Sequence, residues 1–242
     1  MTRASYGPEW SLEANRRRLQ ITEGITARLL ANQTTADFSW VILLDERDPL
    51  APERIAVASE AIGPSRVIPL LWTPKNAAAA PWDKRGDRTT QAQKVAATAY
   101  RFPGWRESTG PRDDQILMTR LDDDDGLAVD ALARVQRASL RVSERTALML
   151  PLGIRVWRGH YTLVKHETNA MHTLSVPPGD ATTVYDYGHR LVGRGQPVVT
   201  VDSKVGWLWS RHRDTISGWK SADQPLTDKV RQMFPVDWDL LS

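Results

Sequence analysis

Asp122, Asp123, Asp124 and Asp125 follow directly on the apolar stretch Ile116-Leu117-Met118-Thr119-Arg120-Leu121. Adjacent carboxylates repel one another and raise each other's pKa values, so a fold that gathers them needs a cation or bound donors as compensation. Two carboxylates one residue apart in a loop can turn toward one ligand: one binds Mg²⁺ or Mn²⁺ directly while the other holds a water or a sugar hydroxyl. A solvated acidic turn is the alternative reading of the same residues. Position favours a ligand site, because the run stands between an expected strand (Gln115 to Leu121) and an expected helix (Leu127 to Val135). Open α/β sheets bind ligands at the carboxyl ends of their strands.

The elements that must position this run can be read along the chain. Trp40-Val41-Ile42-Leu43-Leu44-Asp45 reads as a buried parallel strand with Asp45 at its carboxyl end. Asp45 would lie on the same rim, where it could accept hydrogen bonds from a base or ribose or cap the following loop. Ser11 to Asn32 reads as one long helix capped by Ser11, with Arg16-Arg17-Arg18 on its wet face. Pro52 opens a helix to about Ile62, and Arg66 to Trp72 supplies another strand. A loop with Pro74, the alanine run Ala77 to Ala80, Pro81 and Gly86 is the best candidate for a mobile segment. Thr89 to Tyr100 reads as a helix, with Arg88 and Lys94 available to a bound nucleotide.

Strand and helix thus alternate from Trp40 to Ala138, the pattern of a mostly parallel α/β sheet flanked by helices. The second half has a mixed α+β character. Thr146 to Leu152, Ile154 to Trp157, His160 to Lys165 and Pro197 to Asp202 are strand-like, Arg158-Gly159 could turn a hairpin, and Pro225 opens a last helix ending near Phe234. His160, His166 and His172 lack the spacing of zinc pairs and read as strand and loop residues.

Composition narrows the classes. The 242 residues, 41% hydrophobic, suit one substantial domain. There is no cysteine, so disulfides and thiolate zinc sites are excluded, which fits a reducing, cytoplasmic setting. The longest apolar stretch, Leu148 to Ile154, is interrupted by Pro151 and Gly153 and is far shorter than the roughly 20 residues of a membrane span. The N-terminus lacks the apolar core of a secretory signal. With 32 basic against 29 acidic residues, the charge of +3 does not predict nucleic-acid binding, although a nucleic acid stays open as an acceptor. Ten tryptophans against three phenylalanines suit stacking on sugars, with several expected in the core.

Met118-Thr119-Arg120-Leu121-Asp122-Asp123-Asp124-Asp125 resembles the "TRLDxDD" signature of the putative rhamnosyltransferase family, a branch of the GT-A glycosyltransferases that use nucleotide-sugar donors. Thr2-Arg3 resembles the family's early "TRF" segment, Phe38-Ser39-Trp40 its "F-x-W" strand, and Trp207 to His212 its closing "W-L-x-x-x-H" element. Ala4 stands in place of the phenylalanine, and little precedes Thr2, so the first strand is expected to be truncated or the start codon placed late.

The resemblance implies a GT-A-like, Rossmann-like fold in one glycosyltransferase domain, with a nucleotide-sugar-binding half (1–140) and an acceptor-binding half (141–242). It implies Mn²⁺ or Mg²⁺ held by Asp122, Asp124, Asp125 and the late histidine His212, with Asp124 the direct ligand. It further implies a dTDP- or UDP-sugar donor, bound with help from Arg3, Asp45, Arg88, Lys94, Arg120 and Asp122, and a glycan, protein or other hydroxyl acceptor. Asp123 is the member of the run expected to be replaceable. An inverting enzyme also needs a carboxylate base; Asp186, flanked by Tyr185 and Tyr187, is preferred over Glu167 and Asp202.

Three other readings compete. A phosphohydrolase with an aspartate nucleophile would place its D-x-D on the first strand, whereas this motif is mid-chain. A non-catalytic carbohydrate-binding protein with a structural cation would usually be all-β. A metal-dependent nuclease would scatter its acids over several elements and carry a stronger basic surface.

Overall fold

The computed structural model describes residues 1–4, 11–45, 47–72, 115–178, 180, 184, 192–193, 196–211 and 223–241. Strand β1 is Thr2–Arg3, β2 Trp40–Asp45 and β3 Val67–Trp72. Every residue of β2 is buried, as expected for a strand covered on both faces. The expected strand from Gln115 to Leu121 is two strands, β4 (Ile116–Thr119) and β5 (Leu121–Asp122). These belong to different sheets. The chain changes partner at Arg120, whose N–H donates to the His172 carbonyl at 3.0 Å, whereas the Leu121 N–H donates to the Met1 carbonyl at 3.1 Å.

The first sheet has the order β3-β2-β1-β5 and is parallel at every pairing. Its register sets Thr2 opposite both Ile42 and Leu121, and Arg3 opposite both Leu43 and Asp122. The Trp40 indole N–H donates to Thr2 Oγ1 at 2.9 Å in the interior, which ties β2 to the short β1.

The expected long helix is present over Leu12–Ala31, but it is not uniform. It runs as α1 (Leu12–Ile21), a π-helical segment (Thr22–Ala27) and α2 (Arg28–Ala31). Ser11 caps it by accepting the Ala14 N–H at 3.1 Å. Ile25 and Leu29 are fully buried along its inner stripe. Pro52 sits in the first turn of α3 (Ala51–Ile62), which ends at Gly63 in a left-handed conformation (φ 91°).

The helix expected from Leu127 starts later, at Ala131, as α4 (Ala131–Ser139). Gly126–Leu127 instead form β6 and pair with Leu208 and Trp207. The second half supplies β7 (Thr146–Met149), β8 (Leu152–Trp157), β9 (His160–Lys165), β10 (Thr173–Val176), β11 (Val198–Thr200), β12 (Val205–Ser210) and β13 (Gln224–Pro225). The last helix, α5 (Asp228–Met233), is capped by Thr227 and so begins three residues beyond Pro225, which pairs in β13. The Arg158-Gly159 turn does join β8 to β9, with φ of 49° and 71°, the two positive values that a tight hairpin requires.

Among the described residues the fold is therefore mixed α/β, with one parallel sheet and two sheets of mixed direction, β11-β7-β10-β4 and β13-β9-β8-β12-β6. One apolar core joins the halves: Leu29 and Leu44 belong to the same buried cluster as Ile154, Trp207 and Phe234. No helix among these residues is long and apolar enough to cross a membrane. The expected mobile loop around Pro74 to Gly86 and the helix Thr89 to Tyr100 lie outside the described residues.

Candidate active site

The register of the parallel sheet decides which side chains can meet. Arg3 stands beside Asp122 on β5, and Asp45 closes β2 two residues beyond Leu43, the other neighbour of Arg3. Arg3, Asp45 and Asp122 thus share the carboxyl rim of the sheet, where ligands bind in folds of this kind. A cavity of about 890 Å³ opens at the other end of these strands, lined by Trp40, Val41 and Ile68 near their starts. It lies away from the acids and carries no part of this site.

Beyond Asp122 the chain turns sharply, with the Asp125 N–H donating to the Asp122 carbonyl at 3.2 Å. It enters β6 through Gly126, where a Cβ would lie 1.9 Å from Leu29 Cδ1, so a side chain there would have to displace the buried Leu29. Three elements distant in sequence hold the turn. From α1, Arg18 donates to Asp123 Oδ1 at 3.0 Å and to Asp124 Oδ2 at 3.1 Å. From the π segment, the Thr26 hydroxyl donates to the Asp125 carbonyl at 2.7 Å. From the end of β12, the Ser210 N–H donates to Asp125 Oδ1 at 3.0 Å.

These contacts sort the four carboxylates. The Asp123 side chain is 2% exposed and locked to Arg18; Asp124 gives one oxygen to Arg18 and is 16% exposed. Asp122 is 41% exposed, with Arg120 Nη2 at 3.4 Å. Asp125 is buried. Its burial, and then the charges of Asp124 and Asp122, raise its pKa well above the ordinary carboxylate range, while Arg211 and the Ser210 N–H pull it partly back. The pKa of Arg18 is raised as well: burial works against its charge, yet the two carboxylates it bridges hold its pKa above the ordinary value.

Two expectations change as a result. Arg18 does not belong to a wet helix face with Arg16 and Arg17; it is buried against the acids. Asp123, expected to be replaceable, is the acid most fully enclosed. The signal for Arg18 was present in the sequence. Arg18, Thr22 and Thr26 recur every four residues beside the apolar stripe Ile21-Ile25-Leu29, which turns Arg18 inward and leaves Arg16 in solvent.

Asp45 is engaged by its own loop. It accepts the Arg47 N–H at 2.9 Å and a two-pronged contact from the Arg47 guanidinium at 2.9 and 2.7 Å, which is the loop-capping alternative. Of the candidate bases, Asp202 accepts from Arg134 at 2.9 Å and from the Lys204 N–H at 2.8 Å. Glu167 is an exposed partner of Lys165. Asp186, Arg88, Lys94 and His212 lie outside the described residues, and the Arg3 side chain is likewise not described. The residue before His212, Arg211, continues the strand whose Ser210 touches Asp125, and its guanidinium stacks on Trp209 at 5.2 Å. Trp40 and Trp207 are core residues, so they are not platforms for a sugar.

Among the described residues no three His, Asp or Glu side chains converge as a ready metal cage. The donor set present, two outward carboxylates at a strand end, matches the way Mg²⁺ is commonly held, by one or two carboxylates with substrate phosphates completing the shell. A family model described as putative rhamnosyl transferase matches residues 87–224. That span contains the aspartate turn, β12 and the position of His212, and it leaves Thr2-Arg3 and Phe38 to Asp45 outside. No curated protein matches the chain.

Proposed function

The chain belongs to the putative rhamnosyl transferase family, and from that premise we propose that it is a metal-dependent glycosyltransferase of GT-A-like layout. It moves a sugar, rhamnose by the family's name, from a dTDP- or UDP-linked donor to an acceptor hydroxyl. The observation that carries this reading is the sorting of the acids: Asp123 is neutralised by Arg18, while Asp122 and Asp124 face outward on the carboxyl rim of an all-parallel sheet.

In this reading Asp124 and Asp122 hold Mn²⁺ or Mg²⁺, and His212 adds a ligand. The position of Ser210 against Asp125 supports that last assignment, because Ser210 stands two residues before His212 in the sequence. When bound, the cation offsets the negative charge that develops on the leaving diphosphate. Asp125 keeps β12 docked through the Ser210 N–H. Arg120, beside Asp122, is assigned to the donor phosphates, and the family resemblance assigns Arg3, Arg88 and Lys94 to the same task. Asp45 anchors the Arg47 loop on the same rim, and Asp186 takes the acceptor proton.

The test is incubation with a panel of nucleotide sugars and Mn²⁺, following release of nucleoside diphosphate. Activity with at least one donor is expected, along with thermal stabilisation by UDP or dTDP only when metal is present. Asp124→Asn should abolish that metal-dependent binding and leave the fold intact. No release with any donor, together with an unchanged melting temperature in nucleotide plus metal, would overturn the reading; nucleotide binding by D124N with unaltered metal dependence would overturn the ligand assignment.

A further inference from the structure

Four adjacent carboxylates should attract a free divalent cation strongly, yet among the described residues three arginines act on the turn. Arg18 bridges Asp123 and Asp124, Arg120 lies 3.4 Å from Asp122, and the charge of Arg211 acts on Asp125. Among these described groups four formal negative charges meet three positive ones, and the most enclosed of the three cations, Arg18, lies on the acid assigned as direct ligand. Arg18 bonds to two of the acids at once, and it comes from α1 rather than from the motif strand or β12.

We propose that Arg18 is a specificity-determining residue that keeps the acidic turn from taking up a free divalent cation, so that the cation enters only together with a nucleoside diphosphate. The inference rests on the metal-site reading above. Arg18 does two things at once. It fixes the Asp123 and Asp124 side chains in the protein, so the turn is formed before any cation arrives, and it cancels enough negative charge that a bare ion gains little from Asp122 and Asp124. A cation already carrying a diphosphate brings its own oxygen ligands and a compensating negative charge, and so meets no such deficit. A positive charge within about 6 Å of a divalent ion changes the ion's affinity by more than about tenfold even at an effective dielectric of about 20.

The experiment measures binding of Mn²⁺ alone, and of Mn²⁺ with UDP or with dTDP, by titration calorimetry on the full chain. The unaltered protein should bind Mn²⁺ alone only weakly and bind it at least tenfold more tightly when one of the nucleotides is present. Arg18→Gln should raise the affinity for Mn²⁺ alone at least tenfold, with a rise in melting temperature on adding Mn²⁺. R18Q/D123N removes one positive and one negative charge together, so its affinity for Mn²⁺ alone should return to that of the unaltered protein. A purely structural role for Arg18 would not give that reversal.

If R18Q is unfolded in chelator, refolding on adding Mn²⁺ alone, followed by circular dichroism, is the same gain, and failure to refold counts against the proposal. Unchanged or weaker Mn²⁺ affinity in R18Q, or an equal gain in R18Q/D123N, overturns it. Failure of the transferase reading looks different: the unaltered protein would then bind neither nucleotide with Mn²⁺, whatever R18Q does with the ion alone.

Discussion

Gly153→Ala tests the packing that carries β12 to the aspartate turn. A Cβ on Gly153 would lie 2.0 to 2.3 Å from three carbons of the Trp207 ring. The ring cannot yield easily: it is fully buried, its N–H donates to the Leu150 carbonyl at 2.7 Å, and Trp209 stacks on it at 4.9 Å between centroids. Relief must come from moving β8 against β12, and a forced methyl group in a packed core costs about 3 kcal/mol. Gly153 has no positive φ, so alanine recovers roughly 0.7 kcal/mol by restricting the unfolded chain. The net loss is about 2 kcal/mol, or a melting temperature lower by about 4–8 °C for a chain of this size.

The assay is urea unfolding followed by tryptophan fluorescence, with Gly193→Ala as the comparison. There the Cβ would sit 3.4 Å from Val198, an ordinary contact, and the change should stay within about 0.5 kcal/mol. Replacing Trp207 by Leu in the G153A background should recover part of the loss, giving a coupling above about 1 kcal/mol in a double-mutant cycle. A G153A protein as stable as the unaltered one would refute the register that sets Gly153 against Trp207, and with it the delivery of Ser210 to Asp125.

Two further outcomes are expected. Because folding raises the pKa of Asp125 above its reference of 3.8, its stabilising contribution is full below that value and is lost as pH rises through the folded-state pKa. Asp125→Asn, which can still accept the Ser210 N–H, should therefore be more stable than the unaltered protein at pH 7 in chelator and lose less stability between pH 4 and 8; lower stability at pH 7 would contradict this. Arg134→Met removes the buried guanidinium that holds Asp130, Asp202 and the Val205 carbonyl, and should cost about 2 kcal/mol in urea unfolding, whereas a change within about 0.5 kcal/mol would show that Arg134 does not secure the start of β12.

The parts of the fold that were legible in the sequence depend on local pattern. The β2 strand announced itself as a continuous apolar run ending in an acid, Ser11 as a cap, and Arg158-Gly159 as a turn. What could not be read depends on partners far along the chain. Thr119-Arg120 interrupts the apolar run where β4 gives way to β5, but two polar residues do not announce a change of sheet; the switch is made by two carbonyls, those of His172 and Met1. The residues Gly126 and Leu127 satisfy a helical apolar pattern as well as a strand; Leu208, Trp207 and the close approach of Leu29 decide the matter. In the same way Pro225 resembles the start of a helix, but its strand pairing with His160 and the Thr227 cap move that start onward. The aspartate turn was located by the strand-end rule, yet its internal order was not, since that order is imposed by Arg18, more than a hundred residues earlier.

That distance accounts for a motif of four acids where the proposed D-x-D pair needs two. A turn that presents Asp122 and Asp124 on the sheet rim has to be fastened from behind, and the fasteners at hand are a guanidinium from α1 and an amide N–H from β12. Both are donors, so the turn must offer acceptors on its inner side, and a carboxylate is the strongest acceptor available for each. Asp123 meets the first and Asp125 the second. The alternation of inward and outward acids along Asp122 to Asp125 is what a chain reversing direction at a strand end produces when helix and sheet close on it from one side. The acids proposed to serve a ligand are thereby distinguished from the acids that fasten the turn, and Arg18, which touches one of each, couples the two.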